Sequence, residues 1–157
     1  MAADECSHEI ITAAASSEDV AAVKALFIEY MTWLGHDLNF QGVDKELETF
    51  PAVYCHKLLA RVGGVTAGAI ALKDLGQNIC EMKRLYVPEA FQGTGLGRRL
   101  SERLIDDAKA MGFAKMRLDT LPRLEAAVGI YRKLGFKEIE PYYFNPIEGV
   151  IFFEKDL

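Results

Sequence analysis

Gln92-Gly93-Thr94-Gly95-Leu96-Gly97-Arg98 is the stretch that decides how this chain folds. Before it, Ile79 to Val87 reads as a strand stopped by Pro88, which cannot donate to a ladder. After it, Leu96, Leu100, Leu104, Ala108 and Met111 recur at helical spacing until Gly112 closes the helix. The glycines therefore sit where a strand hands over to a strongly amphipathic helix. Three glycines within five residues remove side chains where something must approach the backbone. A helix N-terminus adds unpaired N–H groups and a partial positive charge, a combination that favours a phosphate. Arg98 and Arg99 place full positive charges in the first turn, where cations are unfavourable unless an anion arrives. A glycine-rich turn without a ligand is the plainer reading of the same residues. A P-loop would need Lys-Ser/Thr after its glycines, and the dinucleotide fingerprint follows a first strand-helix unit; neither fits.

Working outward, His8 to Ala13 predicts a first strand, and Ser16-Ser17-Glu18-Asp19 a capped helix start. Val20, Val23, Phe27, Tyr30, Met31 and Leu34 form one apolar face of that helix, which Gly35 ends. A short helix is expected near Asp44 to Thr49. Lys57 to Val62 and Val65 to Leu72 flank Gly63-Gly64, a hairpin signal. Lys115 to Thr120 reads as a strand, Arg123 to Leu134 as a helix ended by Gly135, and Phe136 to Ile139 and Val150 to Lys155 as closing strands. This order predicts an α/β (α+β) protein, a mixed sheet covered by helices.

Composition narrows the function classes. At 157 residues the chain can bury a proper core, and its 50% apolar and 26% charged content is that of a globular protein. The net charge of −5 argues against nucleic acid as partner and is compatible with a cationic one. No apolar run reaches membrane-spanning length, and the start Met1-Ala2-Ala3-Asp4-Glu5 has no signal pattern, so the expected compartment is the cytoplasm. The three cysteines and three histidines are scattered, so neither a disulfide framework nor a metal site is expected. Cys55-His56 are neighbours that would point to opposite faces of a strand.

Gln92-x-x-Gly95-x-Gly97, preceded by Arg84-Leu85-Tyr86-Val87-Pro88, resembles the pyrophosphate motif of the GNAT N-acetyltransferase superfamily. The resemblance continues through Ala127-Val128-Gly129-Ile130-Tyr131-Arg132-Lys133-Leu134-Gly135-Phe136 and spans residues 8–157, expected to form one such domain. It implies a mostly antiparallel sheet of six to seven strands, about four helices, and a splay between the fourth and fifth strands. It also implies acetyl-CoA as acyl donor, with no metal, and an amine acceptor; small members of the family often form homodimers. The backbone of Gln92, Gly93, Thr94, Gly95, Leu96, Gly97 and Arg98 would hold the diphosphate. Leu85, Tyr86 and Val87 would line the pantetheine, and a backbone donor there would polarise the thioester carbonyl.

Tyr131 matches the tyrosine that stands near the departing sulfur as general acid in many members. On residue pattern alone it shares an apolar face with Ala127, Ile130 and Leu134. Where many members carry an asparagine seven residues earlier, this chain has Leu124, so that contact is lost. A lysine-like amine is neutral less than one time in a thousand at pH 7, a handicap of roughly 4–5 kcal/mol that a base offsets. Glu81, six residues before Val87, has the offset of the base in the histone-acetylating branch; a salt link to Lys83 or Arg84 is the structural alternative. Strict alternation would put Glu81, Lys83, Leu85 and Val87 on one face and Met82, Arg84 and Tyr86 on the other. By the family's pattern, Trp33 to Phe40 and Pro141 to Pro146 wall the acceptor site, with Trp33, Phe40, Tyr142, Tyr143 and Asn145 as its candidates. A non-catalytic acyl-CoA-binding or sensing domain would keep Gly95 and Gly97 but need neither Glu81 nor Tyr131.

Overall fold

The computed structural model describes residues 8–35, 50 and 52–157. The expected helix near 44–49, and Phe40, lie outside the described residues. The order is β1 (Glu9–Ala13), α1 (Ser17–Leu34), β2 (His56–Val62), β3 (Val65–Gly76), β4 (Ile79–Tyr86), a 3-10 turn (Glu89–Phe91), α2 (Leu96–Ala110), β5 (Lys115–Thr120), α3 (Glu125–Lys133), β6 (Lys137–Ile139) and β7 (Ile151–Asp156). The strands form one seven-stranded sheet, ordered β1-β2-β3-β4-β5-β7-β6, antiparallel except where β4 meets β5. No helix among the described residues is long and apolar enough to cross a membrane.

Local chemistry explains the boundaries. Ser16 caps α1 by accepting the Asp19 N–H at 3.1 Å, and Gly35 closes it at φ +71°. β3 runs beyond its expected end at Leu72 to Gly76, because Lys73 and Asp74 still pair with Glu81 and Cys80. The turn that returns it uses Gln77 and Asn78 at φ +56° and +62°, without the glycine dipeptide that would have announced it.

Each sheet face carries its own core. On one, Val23, Leu26 and Phe27 of α1 pack against Leu59, Ala69, Ala71 and Tyr86. On the other, Leu96, Leu100, Leu104 and Ala108 of α2 lie over Leu58, Ile70, Cys80 and Met82, with Tyr131 of α3 in the same cluster. Each fully buried leucine there contributes about 1.5–3 kcal/mol. Met111, the last member of the α2 stripe, follows the helix end and is half exposed.

The alternation expected along β4 does not hold. Ala69 pairs with Tyr86 and Ala71 with Lys83, so β4 spends one residue more than β3 over this interval. The extra residue is taken up at Arg84, at φ +60°, and the strand reverses its faces. Before the bulge Cys80 and Met82 face α2; after it Leu85 and Val87 do, while Tyr86 joins the α1 face. Glu81 and Lys83 are thus separated from Leu85 and Val87 rather than sharing their face.

Gly68 of β3 sits beneath α2, and a Cβ added there would stand 3.0 Å from Leu100 Cδ1, 3.2 Å from the Tyr86 carbonyl oxygen and 3.4 Å from Val87 Cγ2. Gly68→Ala is therefore expected to destabilise the fold by about 1–3 kcal/mol. Urea unfolding should show a lower midpoint at unchanged slope.

Candidate active site

β4 and β5 pair only at Ile79–Lys115, Cys80–Met116 and Glu81–Arg117. Beyond that rung the strands part. The α1-side cleft at the opening is walled by Met82, Lys83 and Arg84 on β4 and by Asp119, Thr120 and Leu121 at the end of β5. Tyr30 and Leu34 of α1, Leu124 just before α3, and Asn145, Ile147 and Val150 ahead of β7 complete it. Arg84 is buried despite its charge and left-handed backbone, a combination that structures retain where the surroundings enforce it.

The glycine stretch lies at the other side of β4. Gly93 and Gly95 adopt φ +80° and +84°, and Gly95 is the N-cap of α2 with no side chain bonded to the cap. The first-turn N–H groups therefore lack the capping side chain that Ser16 gives α1. Gly97 is not in the left-handed region; a Cβ there would meet Ile130 Cδ1 at 3.4 Å, Val87 Cγ2 at 3.9 Å and Leu85 Cδ2 at 4.0 Å, so α2 lies close to α3 and the end of β4. The Gln92 amide donates to the Val87 carbonyl at 2.9 Å, and the Thr94 hydroxyl to that of Phe91 at 2.9 Å, shaping the turn. The anions that answer the first-turn arginines are supplied by the protein itself. Arg98 pairs with Glu102 at 2.7 Å and Arg99 with Glu9 at 2.6 Å. The side chains of both first-turn arginines are thus already engaged within the protein.

Tyr131 is buried against Phe136 and Phe153, so the packing reading is correct as far as it goes. Its phenol is also within electrostatic reach of Tyr30 and Asp119, two residues that line the cleft. Burial first, then those two neighbours, push its pKa far above the ordinary tyrosine value. Its hydroxyl makes no hydrogen bond with the described residues, yet it is not sealed as the Tyr54 hydroxyl is.

Glu81 is buried at the last paired rung. Its Oε2 accepts the Tyr142 hydroxyl at 2.5 Å, and its Oε1 lies 3.6 Å from Lys83 Nζ. Arg117 stands over the Tyr142 ring at 5.2 Å. Burial, then the Glu81 charge and hydrogen bond, raise the Tyr142 phenol, which keeps its proton. Asp119, one alternation beyond Arg117 on the same face, is the carboxylate that lines the cleft. It accepts from the Tyr143 hydroxyl and, at 3.1 Å, from Asn145 Nδ2. Asp119 escaped the sequence reading because an acid in an alternating strand looks like an ordinary surface residue.

Trp33 is 54% exposed and stacked on Tyr30 at 6.4 Å, with the Arg123 guanidinium over its ring at 5.6 Å from the centroid. It stands at the rim, while Tyr142, Tyr143 and Asn145 reach the two carboxylates. Tyr86 turns to α1 and donates to Glu29 at 3.1 Å. Cys80 is wholly buried, its thiol pushed up to about 12 by desolvation, which disqualifies it as a nucleophile. The Cys55 thiol donates to the Leu72 carbonyl at 3.4 Å while His56 bonds Asp107 at 2.8 Å, so these neighbours do separate work.

The sequence profile of the Acetyltransferase (GNAT) family matches residues 20–136. An uncharacterized N-acetyltransferase of Schizosaccharomyces pombe is 37% identical over 153 residues, covering 94% of each chain. The chain belongs to the GNAT acetyltransferase family. An IAA acetyltransferase of Azospirillum brasilense is 35% identical, covering 71% of this chain and 74% of the relative. N-alpha-acetyltransferase RimI of Mycobacterium tuberculosis is 33% identical over 54% of this chain and 53% of its own length. In fold, a GNAT acetyltransferase of Staphylococcus aureus superposes with TM-score 0.76 at 19% identity, covering 94% of this chain and 98% of the other. The yncA protein of Salmonella typhimurium, solved with acetyl-CoA as its cofactor, gives 0.72 at 24% identity, covering 95% and 94%. The GNAT fold accounts for the splayed strands, and N-acetyl transfer from acetyl-CoA is the general activity that family and fold support.

Tyr131, Tyr142, Tyr30 and Tyr86 hold their protons above the ordinary range in the folded GNAT domain. Below pH about 10 both folded and unfolded states keep these protons and no difference arises. Above it the unfolded chain releases them first, so stability should fall as pH rises, by up to about 1.4 kcal/mol per pH unit for each fully protected phenol. Urea unfolding from pH 9 to 11.5, with phenolate absorbance followed in parallel, should show ionisation lagging until the fold is lost.

Proposed function

We propose that this GNAT enzyme moves an acetyl group from acetyl-CoA to a primary amine of a small molecule or peptide, the amine attacking the thioester directly. Residues 8–157 act as one unit, and the cytoplasm is its compartment. The observation that carries the reading is the parting of β4 from β5 directly beside the glycine-led, side-chain-uncapped start of α2. Main-chain amides from Gln92 to Arg98 would hold the diphosphate, and Leu85, Tyr86 and Val87 would contribute backbone along the arm. Acetyl-CoA supplies a thioester whose carbonyl is open to attack. Relatives with names as different as IAA acetyltransferase and N-alpha-acetyltransferase keep both acceptor classes in view.

The acceptor enters from the α1 side, past Trp33 and between Tyr30 and Asn145. Asp119 is the carboxylate placed to touch the amine, with Tyr143 and Asn145 fixing its orientation. Asp119 takes the proton as the amine attacks, while Glu81, already engaged by Tyr142 and Lys83, orders the groups around the cleft without touching the amine. Tyr131 donates a hydrogen bond to the leaving sulfur. Its raised pKa lies above that of a thiol, so it shares its proton with the developing negative charge instead of surrendering it.

Tyr131→Phe should lower kcat by about 10²-fold or more with acetyl-CoA binding nearly intact by calorimetry. Equal turnover would remove Tyr131 from the mechanism. Asp119→Asn should cost about 10²-fold or more in kcat/KM, while Glu81→Gln costs about tenfold. A larger loss in Glu81→Gln than in Asp119→Asn would return the base to Glu81. The assay is thiol release against a panel of amines; a wild-type protein that binds acetyl-CoA and releases no thiol with any of them would instead favour a sensing role.

A further inference from the structure

Arg99 lies in the first turn of α2 and faces away from the cleft, yet it is tied more closely than any surface ion pair needs to be. Its Nε and Nη2 bond both oxygens of Glu9, at 2.7 and 2.6 Å, and its Nη1 donates to the Thr94 carbonyl at 3.0 Å. Glu9 opens β1, the edge strand of the sheet, so one guanidinium joins residues distant in sequence. Four residues on, Arg103 Nη1 donates to the Ile11 carbonyl at 3.3 Å, and its Nε bonds Asp107 at 3.0 Å. Asp107 in turn meets His56 of β2. A polar seam thus pins the exposed side of α2 to β1 and β2, and the glycine turn lies at its end.

We infer that Glu9 and Arg99 are positioning residues that set the Thr94–Gly95 peptide so that the Gly95 N–H is presented to the donor's diphosphate. This rests on the proposed use of that turn. The peptide plane is rigid and trans, so its carbonyl and its N–H point in opposite directions. Holding the Thr94 oxygen on the guanidinium side turns the Gly95 hydrogen to the other side, away from the seam. Glu9 fixes the guanidinium in a two-point, side-on pairing that a flexible cation could not hold. Gly95 is needed for a reason beyond its φ of +84°: a Cβ there would stand 2.8 Å from Arg99 Nη1 and expel the clamp. The Thr94 hydroxyl on the Phe91 carbonyl restrains the other side of the same residue. Arg99 acts here through geometry; its charge is matched by Glu9.

The test compares acetyl-CoA with S-acetylpantetheine, which lacks the diphosphate, for Arg99→Met, Arg99→Lys and Glu9→Gln. In Arg99→Met the KM for acetyl-CoA should rise about tenfold, in keeping with a lost charge-assisted hydrogen bond, with kcat within about twofold. The kcat/KM for S-acetylpantetheine should stay within about twofold of wild type. Arg99→Lys, which keeps the charge but not the fork, should recover little of the loss. Glu9→Gln should weaken acetyl-CoA in the same direction. Full rescue by lysine, or tighter acetyl-CoA binding in Glu9→Gln, would show Arg99 working as a simple attractive charge and overturn the inference. An equal loss with both donors would reduce it to fold maintenance, and should Arg99→Met not fold, Glu9→Gln decides. A wild-type chain that binds no acetyl-CoA would overturn the proposed function itself; a wild type that binds it and variants that match it overturn only the clamp.

Discussion

The constraint on which this molecule depends is the refusal of β4 and β5 to remain paired. Their parallel ladder lasts three rungs, and then backbone that would be interior in any closed sheet is left facing a gap. Unpaired backbone groups away from water are costly, so such a gap persists only where something else meets them. The bulge at Arg84 is the local cause on the β4 side. By inserting a residue in left-handed conformation it redirects the strand while the β3 ladder resumes at Tyr86. The cost of that conformation, of order 1–3 kcal/mol, is borne by a core packed on both faces.

The same bulge divides the chemistry between the two faces. Without it, Glu81 and Lys83 would share a side with Leu85 and Val87, mixing polar groups into the apolar floor beneath α2. With it, the carboxylates, Tyr142 and Tyr143 gather on the α1 side, while Leu85 and Val87 stay with the apolar cluster beneath α2. The polar and the apolar residues of this strand thus lie on opposite faces of the sheet.

The sequence disclosed the parts that depend on local rules. Glycine spacing before an amphipathic stripe located α2, and Ser16 and Gly35 bounded α1; Tyr142, Tyr143 and Asn145 follow from the family resemblance rather than a local rule, and the structure bonds them to Glu81 and Asp119. It could not disclose what depends on partners far along the chain. Strict alternation is the default for a strand, and nothing in Lys83-Arg84-Leu85 signals a bulge, because the extra residue is defined only against Ala69 and Ala71 of β3. Asp119 is likewise unremarkable until Tyr143 and Asn145 are folded over it. Glu9, Arg99 and Thr94 form a unit only once β1 lies beside α2.

Tyr131 shows why packing and chemistry need not be rival explanations of one residue. Its ring fills the core with Phe136 and Phe153, as the apolar face of α3 requires. That burial is also what raises its phenol, since a phenolate there would forfeit its hydration without gaining a cation. A tyrosine in this state keeps its proton at every physiological pH and has no strong partner among the described residues to satisfy. In the proposed reaction it would donate to the neighbour that acquires negative charge. The hydrophobic contacts that would be read as structural are what hold the hydroxyl in that condition, so a substitution that loosened the ring's packing would undo the proposed role even with the hydroxyl left in place.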